Sequence, residues 1–198
     1  MIISFEGGEG AGKSTHARLL CDHLQKHGLP WLSVREPGGS SFSERVRELF
    51  FQEGLDPMTE LLLVLASRRH NLDVLVKPAL SEGRIVVIDR FVDSTLVYQG
   101  VLGGIGIERV REIMELTGTW LEPDLTFVLD IDPGLSLARI VPGDKFELRE
   151  RSYHDRLRHA FLDLAKSPRH RVIDAQRPCI LVSSDIHSAV DVALAAGG

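Results

Sequence analysis

Short apolar runs alternate along the chain with longer stretches in which apolar residues recur at helical spacing. The apolar runs predict five short strands, at Ile2 to Phe5, Leu32 to Val34, Ile85 to Ile88, Leu125 to Ile131 and Val172 to Ile173. The helical spacing predicts helices over about 13–27, 43–52, 56–80, 107–117 and 134–139, over most of the charged segment up to 166, and after 178. Strands that alternate with helices predict an α/β fold with a parallel sheet that is covered by helices on both faces.

Punctuating residues mark the ends of several of these elements. Gly28 follows the first helix at the position where a left-handed residue commonly ends a helix. Asp56 and Pro57 provide an N-cap and a first helical residue for the long helix. The segment Val141 to Gly143, which includes Pro142, interrupts the helical pattern. Ligands of such sheets bind beyond the carboxyl ends of the strands, so functional residues are expected there.

Composition limits the classes of protein that fit this chain. Its 198 residues are 43% hydrophobic, which suits one domain with its own core. A net charge of −5 and a pI of about 5.9 argue against a nucleic-acid partner. Cys21 and Cys179 make no disulfide framework, and the N-terminus has no basic leader. No stretch approaches the roughly 20 apolar residues of a membrane span, so we expect a cytoplasmic protein without a membrane partner.

A glycine-rich turn between the first strand and the first helix carries the strongest chemical signal. Residues 7–14 read GGEGAGKS and match the phosphate-loop pattern G-x-x-x-x-G-K-[ST]. Successive backbone N–H groups of such a turn curl around a phosphate chain, and the following helix adds the positive end of its dipole. Lys13 is expected to reach the β- and γ-phosphates of ATP, and Ser14 to ligate Mg²⁺. The predicted nucleotide-binding residues are Gly7, Gly8, Glu9, Gly10, Ala11, Gly12, Lys13, Ser14 and Thr15.

Two classes of phosphate-loop protein lack their diagnostic segments here. A guanine-specific GTPase needs an Asn-Lys-x-Asp segment, but the only asparagine, Asn71, precedes Leu72. A transport ATPase needs an LSGGQ-like segment, and the sequence contains none. A small kinase or an unusual nucleoside triphosphatase remains.

Further motifs resemble those of the thymidylate kinase family, in the family's order and over nearly the whole chain. They are FEGGEGAGKST at 5–15, REPGG at 35–39 followed by Arg47, Arg68 on the long helix, DRFVDSTLVYQG at 89–100, PDLTFVLDIDP at 123–133 and IDA at 173–175. The resemblance implies a nucleoside-monophosphate-kinase fold in one domain over 1–198, with five parallel strands and a short lid at about 139–152. It also implies a homodimer that phosphorylates dTMP to dTDP with ATP and Mg²⁺, as a step of dTTP synthesis.

The resemblance assigns roles to residues around the expected cleft. For dTMP it implies Glu9 at the sugar 3′-hydroxyl, Pro37 in the adjoining loop, Arg47 at the phosphate, Val64 and Arg68 at the base, Thr95 at the base edge, Tyr98 at the sugar and Gln99 as a further contact. Asp89 is expected to hold the metal together with Ser14. Arg90 is expected between the donor and acceptor phosphates, because a guanidinium fork matches phosphate oxygens in pairs. Glu9 should turn away from the ATP phosphates, since like charges repel.

One departure from the family pattern affects the base. Val64 stands where the family usually has a phenylalanine that stacks on thymine, which removes about 0.5–1.5 kcal/mol of binding. Leu65 and Phe91 are candidates to compensate. On this reasoning the replacement Val64→Phe should tighten dTMP binding.

A second departure affects the lid. Lys145 stands where the family usually has an arginine, and lysine lacks the bidentate fork. The phosphate loop also lacks an internal arginine, and relatives of that kind supply the catalytic arginine from the lid. The candidate catalytic residues are therefore Lys13 and Arg90 together with Arg139, Lys145 and Arg149, and Arg151 is a further lid cation.

Two other functions stay open at this point. One is a kinase of the same fold that acts on another deoxynucleoside monophosphate. The other is a degenerate phosphate-loop protein that binds nucleotide with little phosphoryl transfer. ADP release measured against a panel of monophosphates discriminates among them.

Overall fold

The apolar runs of the sequence form a parallel sheet of five strands. The computed structural model describes residues 1–141 and 143–197 of the chain. The strands are β1 Ile2–Glu6, β2 Trp31–Arg35, β3 Ile85–Asp89, β4 Leu125–Asp130 and β5 His170–Asp174, in the spatial order β2-β3-β1-β4-β5. The register pairs Phe5 with both Asp89 and Phe127. The glycine turn after β1 and Asp89 therefore lie side by side at the carboxyl edge of the sheet.

Helices form the connections between the strands. They are α1 Lys13–Lys26, α2 Ser41–Phe50, α3 Pro57–Asn71, α4 Lys77–Ser81, α5 Val92–Thr95, α6 Ile107–Leu116, α7 Pro133–Leu137, α8 Arg151–Leu164 and α9 Cys179–Gly197. A π-helical segment, Leu72–Val76, joins α3 to α4, and a second one, Leu96–Leu102, prolongs α5. Such segments are rare and often occur at functional sites. The second carries two of the predicted substrate-binding residues.

The sheet buries apolar side chains on both faces. Ile3 and Phe5 of β1 belong to a core that includes residues of α1 and α9. Ile2 belongs to a separate core with residues of α3 and α6. Successive residues of a strand point to opposite faces, and burial of both is typical of a parallel sheet. The predicted α/β architecture is confirmed.

Local signals at the helix ends are also confirmed. Gly28 has a φ of 70° and donates its N–H to the carbonyl of Gln25 at the end of α1. The Asp56 carboxylate accepts hydrogen bonds from the backbone N–H groups of Met58 and Thr59, and Pro57 is the first residue of α3. These devices depend only on neighbouring residues, which explains why the sequence reveals them.

Two segments differ from the sequence expectation. The sequence pattern predicts no helix over 92–102, yet this stretch forms α5 and the second π-helical segment. Almost every residue there is buried, so the polar-apolar alternation that identifies a helix is absent. In the charged segment, residues 144–149 form turns and α8 begins only at Arg151. Pro142 of the predicted interruption lies outside the described residues.

The expectation that no segment has the composition of a membrane span is wrong for α9. The stretch Cys179–Ala196 has a mean hydropathy of 1.5 over 18 residues, so α9 is long and apolar enough to cross a membrane by length and composition. Asp185 and Asp191 interrupt the apolar run of α9, but the mean hydropathy of the helix stays within the range of membrane-spanning segments. In the fold, Val182 and Ile186 of α9 are buried in the core beside α1. A helix that covers a core face passes the same test of composition.

Candidate active site

A cavity of about 870 Å³ opens at the carboxyl edge of the sheet. Its lining comes from the turn after β1, the loop after β2 with α2 and α3, and the segment after β3. Residues of the predicted lid and of the loop after β5 complete it. This volume lies within the usual range of small-molecule sites.

The glycine turn has a backbone that side chains would disrupt. Gly7, Gly10 and Gly12 have φ values of 132°, 68° and 94°. A Cβ atom on Gly10 would lie only 2.2 Å from the carbonyl oxygen of Ser136. Residues Glu9, Gly10, Ala11, Gly12, Lys13, Ser14 and Thr15 line the cavity, whereas Gly7 and Gly8 lie against Leu129 and Leu157. The turn therefore brings seven of its nine predicted residues to the cavity.

Lys13 is a buried cation within this turn. Its Nζ donates a hydrogen bond of 2.6 Å to the carbonyl of Gly8. Burial, and next the positive charge of Arg90, lower the pKa of Lys13 from 10.5 to about 8. An anionic ligand would offset both effects, since it favours the charged amine.

Ser14 and Asp89 meet where α1 begins and β3 ends. The Ser14 hydroxyl donates a hydrogen bond to Asp89 Oδ2, and both side chains line the cavity. Oxygen ligands from a few side chains, completed by phosphates and water, are the donor set that Mg²⁺ prefers. The residues at this position therefore fit a magnesium ion.

Glu9 turns toward the segment after β3, as its charge predicts. Its Oε1 accepts hydrogen bonds from Arg90 Nη2 at 3.0 Å and from the Tyr98 hydroxyl at 2.6 Å. Burial opposes ionisation, but Arg90 and Lys13 hold the pKa of Glu9 below its usual value. Its Oε2 is buried and has no hydrogen-bond partner among the described residues. This oxygen is an acceptor that a ligand hydroxyl group can satisfy.

Arg90 lies between the glycine turn and Tyr98. Its Nη1 donates to the carbonyl of Gly7 at 3.1 Å, and its guanidinium lies 5.2 Å from the centre of the Tyr98 ring. Its φ of 65° is unusual for a residue with a side chain, and such conformations cluster at functional sites. The fold thus places the Arg90 guanidinium beside the glycine turn.

Arg68 and Thr95, which the sequence suggests separately, form one hydrogen-bonded unit in the cavity wall. Arg68 is only 1% exposed. Its Nε donates to Glu36 at 2.7 Å and its Nη2 donates to the Thr95 hydroxyl at 2.8 Å. Its guanidinium lies 4.9 Å from the centre of the Phe91 ring. These contacts fix Arg68, so it is pre-oriented at the edge of the cavity.

The loop after β2 brings Pro37 and Arg47 together. The Glu36–Pro37 peptide bond is cis, and the Pro37 carbonyl accepts a hydrogen bond of 2.8 Å from Arg47 Nη1. Pro37 and Arg47 both line the cavity. Arg35 lines it as well, but its guanidinium pairs with Glu44 at 2.8 Å in a solvent-exposed position.

Val64 lies in a cluster of apolar side chains at the cavity wall. The buried members are Phe50, Val64 and Phe146, and this group is called the aromatic cluster below. Leu65 is instead buried in the core between the sheet and α3, and Phe91 is fully buried beneath Arg68. Leu65 does not line the cavity, whereas Phe91 lines it although its side chain has no exposed surface.

Gln99 and the lid residue Lys145 meet on Glu60. Gln99 Nε2 donates to Glu60 Oε2 at 3.2 Å, and Lys145 Nζ donates to Glu60 Oε1 at 2.6 Å. Both partners of the ion pair are largely buried, with side-chain exposures of 10% and 13%. Lys145 is therefore engaged with α3 and is not among the residues that line the cavity.

The other lid cations differ in their access to the cavity. Arg139 lines it and donates a hydrogen bond of 3.3 Å to the carbonyl of Ala175. Arg149 is exposed and lies 5.7 Å from the centre of the Tyr153 ring. Arg151 pairs with Asp132 at 3.1 Å on the surface. Of these three, Arg139 is the one that the fold brings to the cavity.

Several lining residues were missed by the sequence analysis. They are the aromatic residues Phe50, Phe51 and Phe146, the acids Asp144 and Glu147, and the segment Gln176, Arg177, Pro178 and Cys179 after β5. The adjacent Phe50 and Phe51 were the one sequence feature that pointed to this wall, because two large apolar side chains at the end of a helix are expected to pack against another part of the protein. The remaining residues carry no local pattern.

Comparison with known proteins gives a consistent result. The model of the family described as "Thymidylate kinase" matches residues 5–186. Thymidylate kinase of Symbiobacterium thermophilum is 41% identical over 98% of this chain and 94% of its own, and that of Dinoroseobacter shibae is 45% identical over 97% of each. The crystal structure of thymidylate kinase from Ehrlichia chaffeensis superposes with a TM-score of 0.77 at 33% identity, over 96% of this chain and 98% of the other.

Proposed function

The chain belongs to the thymidylate kinase family, and we propose that its cavity joins an ATP–Mg²⁺ site on the glycine turn to an adjoining dTMP site. As a member of this family it is a nucleoside monophosphate kinase that phosphorylates dTMP to dTDP. One observation carries the proposal: Lys13, Arg90 and Arg47 line one continuous cavity. Three cations along one cavity suit a chain of phosphates from two nucleotides.

The donor site uses the backbone of the turn and the buried amine. N–H groups at the start of α1 receive the ATP phosphates, and Lys13 exchanges the Gly8 carbonyl for phosphate oxygens. The segment 175–179 and Arg139 border the far end of this site. We assign Arg139 to the donor side, and Arg149 reaches the phosphates only if the lid moves.

Ser14 and Asp89 hold the magnesium ion. They would contact it directly or through water, in place of their mutual hydrogen bond. Bound there, Mg²⁺ neutralises negative charge on the β- and γ-phosphates.

The acceptor site lies on the other side of Arg90. Arg47, pre-oriented by the Pro37 carbonyl, binds the dTMP phosphate, and the Arg68–Thr95 unit faces the base edge. The free oxygen of Glu9 accepts a hydrogen bond from the sugar 3′-hydroxyl. Tyr98 packs beside the sugar, and Gln99 borders the base pocket together with Val64.

Positioning and charge neutralisation drive the transfer. An oxygen of the dTMP phosphate attacks the γ-phosphorus in line, the bond from that phosphorus to the β–γ bridging oxygen breaks, and ADP leaves. The attacking phosphate is already ionised, so no general base is required. Arg90 and Lys13 stabilise the charge that develops on the transferred group. The lid at about 139–152 excludes water, which would otherwise hydrolyse ATP.

A monophosphate panel tests the acceptor. ADP release is measured with ATP and Mg²⁺ and with dTMP, dUMP, dCMP, dAMP, dGMP or UMP, using wild type and Lys13→Met. We expect strong stimulation by dTMP in wild type and loss of at least a hundredfold in the variant. A preference for another base would overturn the dTMP site, and acceptor-independent turnover would indicate a nucleotide-binding protein without transfer.

We also propose that the chain forms a homodimer through α2 and α3. Phe42, Leu49 and Leu62 on these adjacent helices are 44%, 48% and 56% exposed. Phe42 and Leu49 are seven residues apart and so share one face of α2. Sedimentation should give twice the 22.0 kDa chain mass. Leu62→Glu should yield monomer, and Val192→Glu on α9 is the matched exposed control.

A cytoplasmic location completes the proposal. Cys21 and Cys179 are unpaired in the part of the chain that the structure describes, which suits a reducing compartment. The acidic net charge argues against nucleic acid as a ligand, while Lys13, Arg47 and Arg90 provide positive charge for nucleotide phosphates inside the cavity.

A further inference from the structure

A second, much smaller cavity lies behind the glycine turn, between the turn, the end of β4 and α8. Its volume is about 20 Å³, and its lining includes Gly7, Gly8 and Glu9 of the turn and His154 of α8. One water molecule needs a volume of about 10–15 Å³, so this cavity has room for one. Glu9 lines the large cavity as well and therefore lies between the two.

Two residues that line the small cavity each carry a buried polar atom without a hydrogen-bond partner in the described parts of the chain. These atoms are Glu9 Oε2 and His154 Nε2. Glu9 is 8% exposed and His154 is 3% exposed. A carboxylate oxygen accepts hydrogen bonds and a protonated imidazole nitrogen donates one, so the two atoms are complementary. Buried polar groups rarely lack a partner, and one water between these two atoms would satisfy both.

The face of α8 that carries His154 is fixed against the glycine turn and the end of β4. Residues three and four apart on a helix share one face, so Leu157 and Arg158 lie on the same side as His154. Leu157 Cδ2 would lie 3.8 Å from a Cβ atom on Gly8. Arg158 donates two hydrogen bonds to the carboxylate of Asp130, at 2.5 and 2.9 Å. These contacts hold the imidazole at a defined place behind the turn.

The partners of the other Glu9 oxygen are also fixed. Oε1 accepts hydrogen bonds from Arg90 and from the Tyr98 hydroxyl. The Tyr98 ring lies between Phe161 of α8 and Phe146 of the aromatic cluster, with ring centres 6.2 and 5.3 Å away. A donor to Oε2 must therefore come from elsewhere. A carboxylate oxygen has two acceptor positions, so Oε2 can accept from a ligand hydroxyl group and from a second donor behind the turn.

We propose that His154 positions Glu9 for the 3′-hydroxyl of the acceptor sugar, through one buried water that joins His154 Nε2 to Glu9 Oε2. This inference rests on the proposed dTMP site. His154 lines the small cavity and not the large one, so it contacts neither nucleotide. It is a positioning residue, because it acts by fixing the direction of the Glu9 carboxylate. The water accepts the imidazole proton in one hydrogen bond and donates to Oε2 in the other.

The variant His154→Phe tests this role, because phenylalanine keeps a ring and removes the nitrogen atoms. Kd values are measured for dTMP and for 3′-deoxythymidine monophosphate. The preference of wild type for dTMP, expected to be about tenfold or more, should shrink to a few-fold in the variant. His154→Gln keeps a side-chain N–H group and should restore most of the preference. His159→Phe, on the exposed side of α8, is the matched control and should leave the preference unchanged.

A double variant and ATP binding separate positioning from a general structural role. Residues of one hydrogen-bond network give non-additive losses, so Glu9→Gln/His154→Phe should show the same sugar preference as Glu9→Gln alone. The Kd for ATP, which binds the same turn, should stay within about twofold of wild type in His154→Phe. An unchanged sugar preference in His154→Phe, additive losses in the double variant, or an equal loss of ATP affinity would each overturn the proposal.

A crystal structure of the wild-type protein tests the water bridge without any variant. We expect one ordered water at about 2.7–3.2 Å from both His154 Nε2 and Glu9 Oε2. A small cavity without ordered density, or an imidazole turned away from it, would overturn the inference. Absence of dTMP-dependent turnover in wild type would instead overturn the proposed function, so the two failures are distinguishable.

Discussion

At the scale of single residues, side chains around the cavity obtain their chemistry from the neighbours that surround them. Glu9 would be an ordinary loop carboxylate without Arg90 and Tyr98, which together satisfy one of its oxygens. Lys13 would be an ordinary lysine without its burial beside Arg90. The sequence identified these residues, and the structure defines how they are prepared for ligands.

The free oxygen of Glu9 predicts discrimination at the sugar 3′-position. Wild type should bind dTMP about tenfold or more tightly than 3′-deoxythymidine monophosphate, because a hydrogen bond to a charged group is worth more than a neutral one. In Glu9→Gln this preference should shrink to a few-fold. The test is a cycle of four Kd values, for both ligands with wild type and with Glu9→Gln. An unchanged preference in the variant would show that Glu9 does not bind the 3′-hydroxyl.

The lowered pKa of Lys13 predicts how ATP binding depends on pH. Phosphates bind the charged amine, so affinity is constant below the pKa of about 8 and falls above it. The Kd for ATP should be about tenfold weaker at pH 9 than at pH 7. The Kd for ATP is measured by titration at each pH in the absence of dTMP. The variant Lys13→Met should bind ATP weakly, and its Kd should not change between pH 7 and pH 9. A flat profile to pH 9.5 in wild type would contradict the assigned pKa.

At the scale of elements, Glu6 joins the end of β1 to the beginning of α5. It is fully buried and accepts hydrogen bonds from the Phe91 backbone N–H at 2.9 Å and from the Ser94 hydroxyl at 2.5 Å. Burial, and next the charge of Asp93, raise its pKa from 4.5 to about 7. The contact sets the distance between the glycine turn and the segment that carries Arg90.

The raised pKa of Glu6 predicts a pH effect on stability. Between pH 4.5 and 7 the folded protein keeps a proton that the unfolded chain has lost, so stability from this group is present at low pH and disappears as pH rises. Glu6→Gln removes this dependence. The free energy of unfolding of Glu6→Gln minus that of wild type should therefore increase by on the order of 3 kcal/mol between pH 4.5 and pH 8. Urea denaturation at both pH values measures it, and a constant difference would refute the shift.

The boundaries of the helices show which local sequence signals are sufficient to predict where a helix begins or ends. Gly28 predicts where α1 ends, and Asp56 with Pro57 predicts where α3 begins, because helix caps involve neighbouring residues alone. The helical segment after β3 has no such signal, since most of its residues are buried and no polar face alternates with an apolar one. The apolar content of α9 was underestimated because charged residues interrupt a run that is apolar on average.

At the scale of the whole molecule, a buried charge cluster connects α5 with β5. Asp93 accepts hydrogen bonds from Arg169 at 2.6 Å and from His170 at 2.8 Å. The side chains of Asp93 and His170 are 2% and 3% exposed. Burial disfavours the carboxylate, but these hydrogen bonds hold the pKa of Asp93 below its usual value. The cluster ties the acceptor-site segment to the last strand.

Breaking this cluster should destabilise the whole fold. Asp93→Asn leaves Arg169 without its buried counterion, and removal of one partner of a buried pair costs about 3–5 kcal/mol. Asp163→Asn, which removes an exposed ion pair with Lys166, should cost under about 1 kcal/mol. Chemical denaturation at pH 7.5 compares the two. Equal, small losses would show that the cluster contributes little.

The sequence by itself determined the α/β architecture and the glycine turn that carries Lys13. These depend on apolar periodicity and on backbone conformations that act over a few residues, so they can be read along the chain. The phosphate-loop pattern assigned Ser14 to a metal and the family resemblance assigned Asp89, and the fold brings the two side chains together.

Only the tertiary structure decided which side chains meet across the cavity. Arg68 and Glu36 are 32 residues apart, and Lys145 and Glu60 are 85 apart. Phe146 likewise reaches Val64 from a different part of the chain. Local pattern does not encode such pairs, because they form only where packing of the sheet, α3 and the lid fixes the distance between distant segments.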